Sequence, residues 1–121
     1  MKKILLIAIS FIVGFVAGIN HENILPGWKK YVDVSLNNTA QKSIKYARLE
    51  SEGGIIYVVE NLKSGTSKNI RMFVRGESSY SLLVEFSDGV KLKGGAGYIE
   101  PGYSIKEVIA DDKIQTEMRS F

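Results

Sequence analysis

The hydrophobic pattern changes character once along the chain. Residues 4–19 read ILLIAISFIVGFVAGI, a sixteen-residue run interrupted only by small side chains. From Tyr31 onward, apolar and polar residues alternate with a period of two. The first pattern predicts one hydrophobic helix, the second a series of strands. Val32, Val34 and Leu36 alternate with Asp33 and Ser35. Tyr80, Leu82, Val84 and Phe86 alternate with Ser81 and Glu85, and Ile70, Met72 and Val74 with Arg71 and Arg75. Around Tyr46 and Ala47 the phase slips by one, which predicts a bulge. Ile55-Ile56-Tyr57-Val58-Val59 is unbroken, as expected of a central strand covered on both faces. Shorter strands are expected at 90–92, 97–99, 104–110 and 114–118.

Turn residues separate these runs. Asp88-Gly89, between Phe86 and Val90, is the strongest hairpin signal and predicts a type I′ turn. Asn37-Asn38, Gly53-Gly54, Lys63-Ser64-Gly65, Arg75-Gly76-Glu77, Gly94-Gly95, Glu100-Pro101-Gly102 and Asp111-Asp112 read as further breaks. No helical period is sustained after residue 30. The expected fold is all-β, an antiparallel sandwich of seven to nine short strands, immunoglobulin-like in the broad sense. A small closed barrel is the alternative. Tyr80, opening a strong strand after a turn, resembles the tyrosine corner of Greek-key sandwiches, whose hydroxyl bonds back to the loop.

The apolar run decides where this domain lies. Sixteen residues cover about 24 Å as a helix, between the lengths of a leader core and a full span. Val16-Ala17-Gly18 is a mediocre cleavage site. The helix can continue to Leu25 before Pro26 stops it, and Trp28 with Lys29-Lys30 follows like an interfacial flank. Residues 1–25 are therefore expected as a transmembrane anchor or signal segment, 26–30 as a linker and 31–121 as an extracytoplasmic domain. Lys2 and Lys3 orient the amino terminus to the cytoplasm of a bacterial inner membrane and the domain to the periplasm. Cleavage near Gly18 would instead release a periplasmic or secreted domain. Ser10, Gly14 and Gly18, spaced four apart, offer a small-residue face for pairing two anchor helices into a homodimer.

Charge and composition narrow the partners. Removing Lys2, Lys3, Lys29, Lys30 and Glu22 from the sixteen basic and thirteen acidic residues leaves twelve of each. The domain is thus neutral, and no basic stripe for nucleic acid exists. The absence of cysteine excludes disulfides, thiol chemistry and an N-terminal lipidated cysteine. Asn37-Asn38-Thr39 is a glycosylation sequon, relevant only in a eukaryotic secretory pathway.

Candidate chemistry is sparse. His21 is the single histidine and lies beside the apolar run, far from any nucleophile. No metal-ligand spacing and no phosphate loop occurs, so neither catalysis nor a cofactor is expected. A carboxylate-dependent glycan hydrolase using Glu100 or Asp112 is a distant alternative. The segment 94–103 carries the binding expectation. It sets Tyr98, Glu100 and Tyr103 around a Glu-Pro-Gly turn, and amphipathic aromatics on loops serve as protein anchors. The favoured reading is a membrane-anchored accessory module that binds a protein partner through this loop or an edge strand.

Overall fold

Alternation decides which side chains meet. In β1 (Tyr31–Asn38), Val32, Val34 and Leu36 are fully buried while their neighbours face outward. The same period runs through β2 (Ile44–Ser51), β3 (Ile56–Leu62), β4 (Ser67–Phe73) and β5 (Ser78–Phe86). Next come β6 (Lys91–Ile99), where the buried residues Ala96 and Ile99 fall three apart at a register shift against β5, β7 (Ser104–Ile109) and β8 (Ile114–Arg119). The structure is a computed structural model and describes residues 30–119. The apolar run, with Ser10, Gly14 and Gly18, lies outside the described residues. Among the described residues, 30–119, no helix is long and apolar enough to cross a membrane.

The eight strands form two four-stranded sheets, ordered β4-β1-β7-β8 and β3-β2-β5-β6. Their inner faces close one core around Phe86, Leu36, Ile44, Leu49, Met72 and Ile99. The all-β sandwich expected from the pattern is therefore present. Its sheets are not wholly antiparallel: β1 pairs with β7 in parallel, Asp33 opposite Ser104 and Asn38 opposite Ile109. The reason is connectivity. The loop after β6 delivers β7 at the end where β1 starts, so both run the same way.

The phase slip in β2 is a real irregularity, a register shift between Ile44 and Tyr46 against β5. Other local expectations change. Gly94-Gly95 lies inside β6 rather than in a turn. At Gly95 (φ +130°) a Cβ would stand 2.3 Å from the Tyr80 carbonyl oxygen, and at Gly94 Ile114 would be met at 3.1 Å. Gly95 lets the β5 backbone approach, Gly94 leaves room for the Ile114 side chain of the other sheet, and the strand continues through both. The 86–90 hairpin exists, but Asp88 keeps negative φ and only Gly89 is positive, at 89°. Gly89 N–H donates to the Phe86 carbonyl at 2.9 Å, and Phe86 N–H to that of Val90 at 2.9 Å. This is a three-residue loop closed by a glycine bulge, not a type I′ turn.

The largest correction concerns 55–59. The unbroken apolar run forms β3 at the edge of its sheet. Tyr57 and Val59 pack on the core, but Ile56 and Val58 point outward and are 47% and 54% exposed. Apolarity alone cannot tell a doubly covered strand from an edge strand with a bare outer face.

Register fixes two poles. One carries the start of β1, residues 52–55, 74–77 and 100–103, and the end of β8. The other carries residues 39–43, 63–66, 87–90 and 110–113. Buried Asn38 ties the second pole together. Its Nδ2 donates to the carbonyls of Lys42 (3.0 Å) and Leu62 (2.9 Å), and its Oδ1 accepts from Ala40 N–H (3.0 Å).

Candidate functional site

The predicted loop residues do come together, at the pole where β1 begins. Pro101 and Gly102 form the centre of a turn in which Tyr103 N–H donates to the Glu100 carbonyl at 3.1 Å. Gly102 has φ of 95°, which a type II turn demands at that position. The turn returns the chain so that the rings of Tyr98 and Tyr103 meet edge to face, centroids 6.4 Å apart. The exposed Tyr98 hydroxyl donates to the Glu100 carboxylate and lies 3.3 Å from that of Glu77. The Glu100 hydrogen bond, with lesser contributions from partial burial and the negative charge of Glu100 and Glu77, raises the Tyr98 phenol above its ordinary range. Glu77 escaped the sequence reading because it arrives from the β4–β5 loop, twenty-one positions away.

This pole carries further aromatics. Tyr31 packs edge-on to Phe73 at 6.0 Å, and the Arg71 guanidinium lies 5.7 Å from the Tyr31 ring centre. Between residues 51–55 and 73–78 runs an open groove of about 580 Å³, lined by Ile55, Phe73, Val74 and Glu77 among others.

Glu100 and Asp112 do not converge. They sit at opposite ends of β7, whose six residues span about 20 Å at ~3.3 Å each. That exceeds the separation of about 5–9.5 Å at which two carboxyls flank one glycosidic bond. Among the described residues no three metal-ligating side chains cluster.

The edge strand β3 is the second candidate surface. Ser51 N–H donates to the Ile55 carbonyl, so the pairs 49–57 and 47–59 are the hydrogen-bonded ones. Alternation then turns the main-chain groups of Ile56, Val58 and Glu60 toward the open edge. Across the sheet, Val58 lies beside Arg48, then Leu83, then Lys93. Edges are normally guarded by charge. Lys68 and Arg71 guard β4, Lys91 and Lys93 guard β6, and Glu117 and Arg119 guard β8. β3 has only Glu60.

A buried acid completes the unusual features. Glu107 is fully buried between the sheets, where Tyr80 donates to one carboxylate oxygen and Thr116 to the other at 2.8 Å. Tyr80 therefore reaches across the core instead of back to its loop as a tyrosine corner would. Burial pushes the Glu107 carboxyl up, against the lowering effect of both hydroxyl donors. Burial, joined by Glu107, also raises the Tyr80 phenol far above its ordinary value. The pattern itself held the signal: Glu107 shares parity with Ile105 and Ile109, both inward.

These features define an all-β sandwich domain with an aromatic pole and one unguarded apolar edge. Neither a family model nor a curated protein matches the chain. A solved structure, described as the NMR structure of the protein from Eubacterium rectale, superposes with a TM-score of 0.60 at 15% identity. The match covers 80% of this chain and 95% of that one. The likeness is one of fold.

Proposed function

We propose that the protein is a membrane-anchored, extracytoplasmic, non-enzymatic accessory module that binds a protein partner by strand addition along β3. The observation that carries this reading is the edge itself. A seven-residue strand presents Ile56 and Val58 on an open border without a lysine, arginine or proline. An extended segment laid there would gain main-chain hydrogen bonds at Ile56, Val58 and Glu60, and specificity from alternate side chains. The anchor reading rests on the apolar run, and the lysines flanking its start support a periplasmic domain. "Immunoglobulin-like" is kept only in its broad sense. Two packed sheets support it, while the order β4-β1-β7-β8 departs from the immunoglobulin arrangement.

The test is photo-crosslinking in living cells from a reactive residue at position 58, with position 115 on β8 as control. A discrete adduct at 58, absent at 115 and lost in Ile56→Lys, is the expected result. Equal labelling at both positions overturns the edge as the docking surface. N-terminal sequencing of the membrane-bound protein checks the anchor, since a mature chain starting near Ile19 overturns it.

A further inference from the structure

We infer that the pole where β1 begins is seated in the lipid headgroup layer, with Tyr31, Ile55 and Tyr98 as its contacts. This rests on the retained-anchor reading. On that reading the anchor extends no further than Pro26, and the segment 26–30 joins it to the first strand residue, Tyr31. Five residues reach at most about 17 Å when extended. The nine-residue strands make the sandwich about 30 Å long at ~3.3 Å per residue, so the tether is shorter than the domain. The pole bearing Tyr31 is thereby held beside the bilayer.

That pole has the composition of an interfacial surface. Tyr31 and Tyr98 are 48% and 46% exposed, Ile55 is exposed at the β3 side of the same pole, Phe73 packs on Tyr31 and Tyr103 on Tyr98. Tyrosine rings with wet hydroxyls suit the headgroup level. The opposite pole presents Lys63, Asp88, Asp111, Asp112 and Lys113 and no exposed aromatic. Charge does not drive the contact. Lys30, Arg75 and Arg119 balance Glu52, Glu77 and Glu100, so a zwitterionic lipid surface suffices. The contact would hold the β3 edge at a fixed height, with Ile56 nearest the membrane.

The cysteine-free chain permits a clean test. Single spin labels are placed on the full chain in phosphatidylcholine nanodiscs, through Gly53→Cys and Gly76→Cys at the pole and Asp88→Cys and Asp112→Cys opposite. A Cβ at Gly53 meets only Ser51 Oγ at 3.9 Å, and at Gly76 nothing within 4 Å, so both pole labels fit. Accessibility to a water-soluble nickel chelate should be several-fold lower at 53 and 76 than at 88 and 112. Adding Tyr31→Ser, Ile55→Ser and Tyr98→Ser should restore accessibility at 53 and 76 while the chain still co-floats with phosphatidylcholine liposomes. Equal accessibility at both poles in a chain that floats overturns the seating and leaves the anchor standing. A chain that fails to float overturns the anchor and the seating with it.

Discussion

Replacing Glu107 by glutamine should make the domain more stable at neutral pH, and the gain should grow with pH. Among the described residues, Glu107 is an acid sealed between two sheets with two hydroxyl donors and no cation on it. Glutamine keeps the volume. Its oxygen can accept from Tyr80, and its amide can donate to the rotatable Thr116 hydroxyl, so no hydrogen bond need be lost. What disappears is the cost of ionising a buried carboxyl. Burial raises the folded-state pKa above the unfolded value of 4.5. The protonated form therefore contributes stability that is fully present below about pH 4.5 and is lost as pH rises through the folded pKa. Wild type should fall behind Glu107→Gln from about pH 4.5 upward, by at most ~1.4 kcal/mol per pH unit for one proton, until the folded pKa is passed. Glu107→Ala behaves differently. It strands the Tyr80 hydroxyl in the core and leaves a cavity, costing about 2–4 kcal/mol. For some ninety residues, total stability is only about 5–13 kcal/mol. Urea unfolding of the three chains between pH 4 and 8 measures this, because differences between variants cancel every other titration. A flat or shrinking gap between wild type and Glu107→Gln as pH rises would refute the reasoning.

Gly95→Ala must place a methyl 2.3 Å from a backbone carbonyl at φ +130°, and should cost about 2–4 kcal/mol in urea unfolding. Gly97→Ala, with open space around it, should stay within about 0.5 kcal/mol. Asn38→Ala removes three hydrogen bonds at a buried position and should lose about 2–4 kcal/mol, read from the same transitions. Ile56→Lys, at an exposed position, should change stability by less than about 0.5 kcal/mol yet abolish the crosslink formed from position 58, which comparing melts and adducts would check. At Asp88 the Lys42 hydrogen bond and the Val90 N–H lower the carboxyl pKa. Its contribution is therefore present at neutral pH and lost as pH falls, and Asp88→Asn should flatten that part of the acid limb.

Much of the strand structure was legible locally. Alternation put Val32, Val34, Leu36, Tyr80, Leu82, Val84 and Phe86 inward, and each is buried. The slip at Tyr46 marked a real register shift, and the Pro-Gly turn brought Tyr98, Glu100 and Tyr103 to one place. The same rule put Glu107 inward beside Ile105 and Ile109. The assumption that charged residues face water hid it, because nothing near Glu107 in sequence announces the Tyr80 hydroxyl that accommodates it.

The apolar run and the balance of charge beyond it were properties of the sequence alone. So was the face each strand residue would take, since successive side chains on a strand point oppositely whatever the neighbours. Which strands became neighbours was settled only by tertiary structure, because backbone pairing carries little trace of side-chain identity. That is why an unbroken apolar run could end as the unguarded edge β3, and why β1 could lie parallel to β7. It is also why one pole gathered Tyr31, Phe73, Tyr98 and Tyr103 from four separate stretches of chain.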